Sequence, residues 1–220
     1  MDELDLMMKV IVVGDGRIGK TCLITKFVNG IFQDEYKKTL GVDFLQKKHN
    51  VKELSEDVQF HIWDTAGQEE YNSLTRRYYK GSSACVICFS TTDRESFNHV
   101  EKWKQQVENE IGAVPMVIVQ TKIDLCDNAA MTENEVAALG KHLQVPVFKA
   151  CSKDGTMVNE IFEFIAVRYF TKSQKAGEQK EEQQQRKDVI KLGATEKSQG
   201  SSTPAEQKKK KWSFGKCSIL

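Results

Sequence analysis

Apolar runs and helical periodicities alternate along the first 170 residues of the chain. MMKVIVVG, residues 7–14, is rich in branched side chains, ends in glycine and predicts a buried strand. KTCLITKFVNG, residues 20–30, predicts a helix closed by Gly30. VDFLQKKHNV (42–51) and DVQFHIWD (57–64) predict two strands joined by a short polar connection. ACVICFS (84–90) predicts a strand buried on both faces. In the helix after it, Thr92 and Glu95 have capping-box spacing, and Phe97, Val100, Trp103, Val107 and Ile111 form the apolar stripe. VPMVIVQ (114–120) is another buried strand, Thr132 and Glu135 cap a further helix, and VPVFKA (145–150) is the last strand. The last helix sets Val158, Ile161, Phe162, Ile165 and Tyr169 on one face. Strands alternating with helices predict an α/β fold, a mostly parallel six-stranded sheet with helices on both faces. Its ligand site is expected beyond the carboxyl ends of the strands.

From Thr171 the chain turns polar, Gln-rich and then small-residue-rich. Such a composition buries too little apolar area to offset its ordering entropy and reads as a tether. The expected organisation is therefore a globular domain over 1–170 and a flexible tail over 171–220. Whether the last helix runs on into the Gln-rich stretch is left open by the pattern. The tail also holds the charge asymmetry. It carries 12 of the 32 Lys and Arg but 6 of the 31 Asp and Glu, a net of +6 against −5 for residues 1–170. A mildly acidic body argues against a nucleic-acid partner, whereas a basic tail suits an anionic membrane surface.

The opening MDELDLMM lacks a basic segment followed by a long apolar one, so no signal peptide is expected, and no apolar run approaches a membrane span. Six scattered cysteines give no disulfide framework, which points to the cytosol. Cys85 and Cys88 form a CxxC, which leaves redox or zinc chemistry open. Residues three apart on a strand face opposite ways, which favours core packing. His49, His61, His99 and His142 have no ligand spacing.

The chemistry lies at the strand ends. GDGRIGKT, residues 14–21, follows the first strand, opens the first helix and matches GxxxxGK[ST]. Gly14 and Gly19 let the backbone curl so that successive N–H groups face inward onto phosphate oxygens. Lys20 is suited to the β- and γ-phosphates and the Thr21 hydroxyl to Mg²⁺. The candidate binding stretch is Gly14, Asp15, Gly16, Arg17, Ile18, Gly19, Lys20, Thr21 and Cys22, with Arg17 read as a solvated side chain rather than a catalytic arginine. This loop alone does not choose between ATP and GTP. WDTAGQEE, residues 63–70, narrows the reading. Asp64 ends a strand where a carboxylate can hold a Mg²⁺-bound water, Gly67 can bring its N–H to a terminal phosphate, and Gln68 can orient the attacking water.

Taken together, GDGRIGKT, TLGVDF (39–44), WDTAGQEEY (63–71), RRYYKG (76–81), TKID (121–124) and ACSK (150–153) resemble the small GTPases of the Ras superfamily, in the Rab branch. The resemblance covers roughly residues 8–170, and STTDRESF with the single terminal cysteine resembles a Rab branch linked to cilia and hedgehog signalling. It implies a P-loop G domain with GTP and GDP as substrate and product and Mg²⁺ as cofactor. It implies that Thr39 completes the Mg²⁺ shell with Thr21 and Asp64, that Phe32 lies against guanine, and that Tyr36 closes over the phosphates. Phe44, Trp63 and Tyr78 match an aromatic trio on the effector face, although aromatics near strands also serve as core. Asp124 is the base reader, because its carboxylate accepts from guanine N1–H and the 2-amino group, donors that adenine lacks. The resemblance implies that Lys122 packs its stem against the base. Thr121 replaces the commoner asparagine and can tie adjacent loops with its hydroxyl. Cys151, Ser152 and Lys153 belong to the last guanine loop, with Ser152 in place of alanine and its N–H expected at guanine O6.

The expected reaction is slow hydrolysis of GTP with Gln68 as catalytic residue, accelerated by a partner that supplies an arginine. Expected partners are effectors on the switch regions, an exchange factor, a GTPase-activating protein, and a GDP-dissociation inhibitor or escort protein. VIKL (189–192) is one docking segment for such an escort, or incidental. The G domain is expected to be monomeric. Cys217-Ser218-Ile219-Leu220 fits a prenylation signal that favours geranylgeranyl on Cys217. Lys208–Lys211 read as a second, electrostatic signal or as a solvated or import segment, and Trp212 and Phe214 suit the interface. The expected location is the cytosolic face of an endomembrane or of the plasma or ciliary membrane. Two alternatives compete: a GTP-bound scaffold without useful hydrolysis, and a P-loop phosphotransferase, for which no lid-sized segment is evident.

Overall fold

The computed structural model describes residues 6–32, 34, 35, 37–39, 41–65 and 77–173. In chain order the elements are β1 (Leu6–Val13), α1 (Lys20–Asn29), β2 (Val42–Val51), β3 (Glu56–Thr65), β4 (Ala84–Ser90), α2 (Arg94–Asn98), α3 (Val100–Ile111), β5 (Met116–Thr121), α4 (Glu133–Leu143) and β6 (Val147–Lys149). A last helix, α5, covers residues 158–173. Short 3-10 turns occupy Lys52–Leu54 and Ile123–Asn128.

The sheet order is β2-β3-β1-β4-β5-β6. Only β2 runs antiparallel, paired with β3 from Val42 opposite Thr65 to Val51 opposite Glu56; every other neighbouring pair is parallel. The chain steps from β1 to β3 on one side and to β4 on the other. The carboxyl end of β1 is therefore a switch point of the strand order, where α/β sheets open a ligand crevice.

The strand alternation predicts two cores, and two are present. Met8, Val10 and Val12 pack with Leu23, Ile24 and Phe27 of α1 and Ile161, Phe162 and Ile165 of α5. Ile11 and Val13 pack on the opposite face with Phe97 of α2, Val100, Trp103 and Val107 of α3, and Val136 of α4. Phe27 stacks on Phe162 with ring centroids 4.0 Å apart. Each fully buried phenylalanine contributes about 1.5–3 kcal/mol of apolar transfer. Cys88 lies in the first core and Cys85 in the second, as alternation along a strand requires.

The cap of α2 is a correction to the sequence reading. Asp93, not Thr92, is the N-cap, and its carboxylate accepts from the N–H groups of Glu95 and Ser96. Thr92 lies one residue too early and pairs its hydroxyl with Ser90 Oγ at 3.2 Å. On α4 the Thr132–Glu135 box is formed in both directions.

Candidate functional site

The turn after β1 is shaped by its neighbours. Gly14 has φ 133°, and a Cβ there would lie 2.3 Å from the Cys88 carbonyl oxygen, so β4 leaves no room for a side chain. Gly19, with φ 99°, turns the chain in the left-handed region directly into α1. Arg17 adopts φ 63° between them, a conformation that costs a non-glycine residue about 1–3 kcal/mol and clusters at functional loops. The result is a loop that ends on a helix amino terminus, an anion-binding arrangement.

Lys20 stands at the first position of that helix and is buried. Its Nζ donates to the carbonyls of Gly14 at 2.8 Å and Asp15 at 2.6 Å. Burial pushes its pKa down, while the carboxylates of Asp64 and Asp15 oppose that shift. Burial also pushes the Cys88 thiol up to about 12, which leaves it a packing group rather than a nucleophile.

Beside Lys20, three oxygen-bearing side chains converge from separate segments. Thr21 Oγ1 donates to Asp64 Oδ2 at 2.6 Å and lies 3.0 Å from Thr39 Oγ1, which donates to the same Oδ2 at 3.3 Å. Asp64 is fully buried, and its Oδ1 has no hydrogen-bond partner among the described residues. Burial raises its pKa; the Thr21 hydroxyl, the Lys20 charge and the Thr39 hydroxyl pull it back. A buried carboxylate with an unpartnered oxygen, flanked by two hydroxyls, is a hard, all-oxygen donor set. It fits Mg²⁺, which takes one or two carboxylates and completes its shell with waters and phosphate oxygens.

A cleft of about 490 Å³ runs from this point past the carboxyl ends of the central strands. Gly16, Arg17, Gly19, Lys20, Thr21 and Cys22 line one side. Phe32, Asp34, Glu35, Lys37, Lys38 and Thr39 line the connection before β2, and Thr121, Lys122, Asp124, Leu125, Ser152 and Lys153 line the far end. Thr121 Oγ1 lies 2.5 Å from the Ile18 carbonyl and 3.0 Å from the Phe89 carbonyl, sharing one hydroxyl proton between the phosphate loop and β4. Lys122 has φ 56° and donates from Nζ to the Arg17 carbonyl at 2.7 Å. Asp124 accepts from the Cys151 thiol at 3.5 Å.

Several candidate residues take part otherwise than through a side chain in the cleft. Ile18 is buried and offers its carbonyl. Cys151 is buried behind Asp124. The Asp15 carboxylate turns to α3, where Trp103 Nε1 donates to it at 2.7 Å and His99 Nδ1 lies at 2.7 Å. Tyr36, Gly67, Gln68 and Cys217 lie outside the described residues, as do residues 189–192, Lys208–Lys211, Trp212 and Phe214. Phe44, Trp63 and Tyr78 form a row, with centroid distances of 5.2 Å and 5.3 Å, and Phe44 and Tyr78 are 48% and 41% exposed. That exposure places Phe44 and Tyr78 on the surface, whereas Trp63 between them is partly buried and packs against the second core.

Sequence reasoning missed Asp34, Glu35, Lys37, Lys38 and Leu125 on the cleft wall, and His99 and Trp103 behind Asp15. The i,i+4 spacing of His99 and Trp103 signals a shared helix face. Nothing in the local sequence signals that this face meets Asp15.

A model of the Ras family matches residues 9–171. The GTP-binding protein YPTM1 of Zea mays is 33% identical over 179 residues, which cover 81% of this chain and 84% of the relative. The Ras-related protein RABD2a of Arabidopsis thaliana is 33% identical over 161 residues, covering 73% of this chain and 78% of the relative. The GTP-binding protein ypt1 of Schizosaccharomyces pombe is 31% identical over 161 residues, with the same two coverages.

Proposed function

The chain belongs to the Ras family as a Rab-type small GTPase, and from that premise we propose that it is a membrane-anchored switch that recruits effectors in vesicle-mediated or ciliary membrane traffic. One observation carries the reading: Thr39, in the connection between α1 and β2, meets Thr21 and Asp64 at the phosphate end of the cleft. A segment tied to the site in this way is ordered when a terminal phosphate is present and released when it is lost. Effectors that bind the ordered form then read the nucleotide.

The residues divide the work. Lys20 and the amino end of α1 hold the phosphates, and Lys20 exchanges its two loop carbonyls for phosphate oxygens as nucleotide enters. Thr21, Thr39 and Asp64 would hold Mg²⁺, which would supply positive charge against the phosphates. Asp124 accepts from guanine N1–H and the 2-amino group, with Cys151 and Lys122 fixing its surroundings. Phe32 lies against the base, Tyr36 and Gly67 close on the phosphates, and Gln68 orients the attacking water. Hydrolysis is slow alone, and an arginine from an activating protein accelerates it by about 10³–10⁵. Exchange and activating proteins set the cycle, and a GDP-dissociation inhibitor or escort protein carries the GDP form. No nucleic acid is involved.

Residues 1–170 form the switch and 171–220 its tether, with geranylgeranyl on Cys217 and Lys208–Lys211 on an anionic cytosolic leaflet. Among the described residues no helix is long and apolar enough to cross a membrane. The test is to denature the purified chain, identify the released nucleotide, and follow single-turnover GTP cleavage with and without Gln68→Leu. Stoichiometric GDP and slow cleavage that Gln68→Leu abolishes are expected. Retained GTP with no cleavage in the wild type would overturn the switch in favour of a locked scaffold.

A further inference from the structure

The phosphate loop carries one acidic side chain, Asp15, and α3 occupies both of its carboxylate oxygens. His99 Nδ1 lies 2.7 Å from Oδ2 and Trp103 Nε1 donates to Oδ1 at 2.7 Å. A carboxylate accepts only, so the His99 tautomer that satisfies this contact carries its proton on Nδ1. His99 sits at the junction of α2 and α3, and Trp103 is one turn on and nearly fully buried. The backbone of Asp15 is pinned from the other side, where its carbonyl accepts from Lys20 Nζ at 2.6 Å. The Asp15 charge acts on the Lys20 ammonium. A carboxylate released from α3 therefore has a competing partner close by, the lysine that binds phosphate. Turned that way it would occupy Lys20 and repel the nucleotide anion.

We propose that His99 and Trp103 are positioning residues of the nucleotide site, which hold the Asp15 charge away from Lys20 and the phosphates so that bound nucleotide is retained. The inference rests on the guanine-nucleotide reading above. It makes α3 a third support of the phosphate loop, in addition to β4 beneath Gly14 and Thr121 beneath Ile18.

The experiment loads the full chain with a fluorescent GDP analogue and follows its release into excess GDP and Mg²⁺. His99→Ala and Trp103→Phe should each release it about tenfold faster, the factor carried by one lost charge-assisted hydrogen bond. Trp103→Phe leaves an aromatic ring in the buried position but removes the N–H together with part of the indole, so reversal by Asp15→Asn is what separates the lost hydrogen bond from the lost packing. Adding Asp15→Asn to Trp103→Phe should bring release back towards the wild-type rate, because no charge is left to misplace. His99→Asn, whose side-chain N–H stands where Nδ1 does, should restore slow release. Loosening of α3 alone would not respond to Asp15→Asn. Release unchanged in both single variants, or an acceleration that Asp15→Asn does not reverse, overturns the inference. A wild-type chain that holds no guanine nucleotide overturns the functional reading itself, an outcome distinct from either.

Discussion

The Thr21 hydroxyl donates to Asp64 Oδ2 at 2.6 Å, joining the first turn of α1 to the carboxyl end of β3 across 43 positions of sequence. The same oxygen accepts from Thr39, and the other, Oδ1, is buried without a partner among the described residues. A cation or a cation-bound water would supply the remaining partner of a carboxylate so placed. Asp64→Asn should weaken the Mg²⁺ dependence of GDP release about 10–100-fold, the range for loss of a group that orients a metal site. The check is GDP release against Mg²⁺ concentration; a curve superimposable on the wild type would remove Asp64 from the cation site.

Thr121 offers a test by a single atom. Its hydroxyl serves the Ile18 and Phe89 carbonyls inside the protein. Thr121→Val keeps the shape and leaves those acceptors short of a donor, so stability should fall by about 1–3 kcal/mol. Urea unfolding of the GDP-bound chain measures the loss. GDP release should quicken in parallel, since Ile18 belongs to the phosphate loop.

The capping box of α4 gives a pH prediction. The Thr132 N–H and hydroxyl and the Arg94 guanidinium, 2.8 Å away, hold the Glu135 carboxyl down to about 2. A carboxyl held below its unfolded value stabilises the fold above that value and loses the effect as pH falls through the folded one. Glu135→Gln should therefore lower the melting temperature at neutral pH, and the gap to wild type should close between about pH 4.3 and pH 2. Thermal melts of both proteins across that range decide it; a pH-independent gap would show that the charge of Glu135 is not what the box uses.

For the tail, Cys217→Ser should move the chain from membranes to the soluble fraction. Replacing Lys208–Lys211 with glutamine in the lipidated chain should weaken binding to anionic vesicles by about 1 kcal/mol per lysine. Sedimentation with vesicles with and without anionic lipid reads both effects. Membrane binding that survives Cys217→Ser would refute the anchor.

Much of the fold was legible because its periodicities are strong. β4 and β5, buried along their whole length, read as apolar runs that turn polar only at their carboxyl ends, as parallel strands covered on both faces require. The α2 cap was misread by one residue, because Thr92 and Asp93 are both good caps and only backbone conformation chooses between them. The placement of residues 14–21, Asp64 and Asp124 at strand ends was legible because their spacing to the strands is local. The row of Phe44, Trp63 and Tyr78 was ambiguous in sequence, since an aromatic residue on a strand faces core or solvent according to what covers that face.

By itself the sequence determined the elements, their order and which chemistry-bearing residues stand at the strand ends, because periodicity, glycine placement and motif spacing act over a few residues. Tertiary structure alone decided which distant side chains meet. It brought Thr39 onto Thr21 and Asp64, set Thr121 under Ile18, and turned Asp15 from the cleft to His99 and Trp103. Those contacts join residues 18 to 103 positions apart. They depend on the register and packing of β1, β3, β4 and β5 with α1 and α3, and no short window of sequence encodes that.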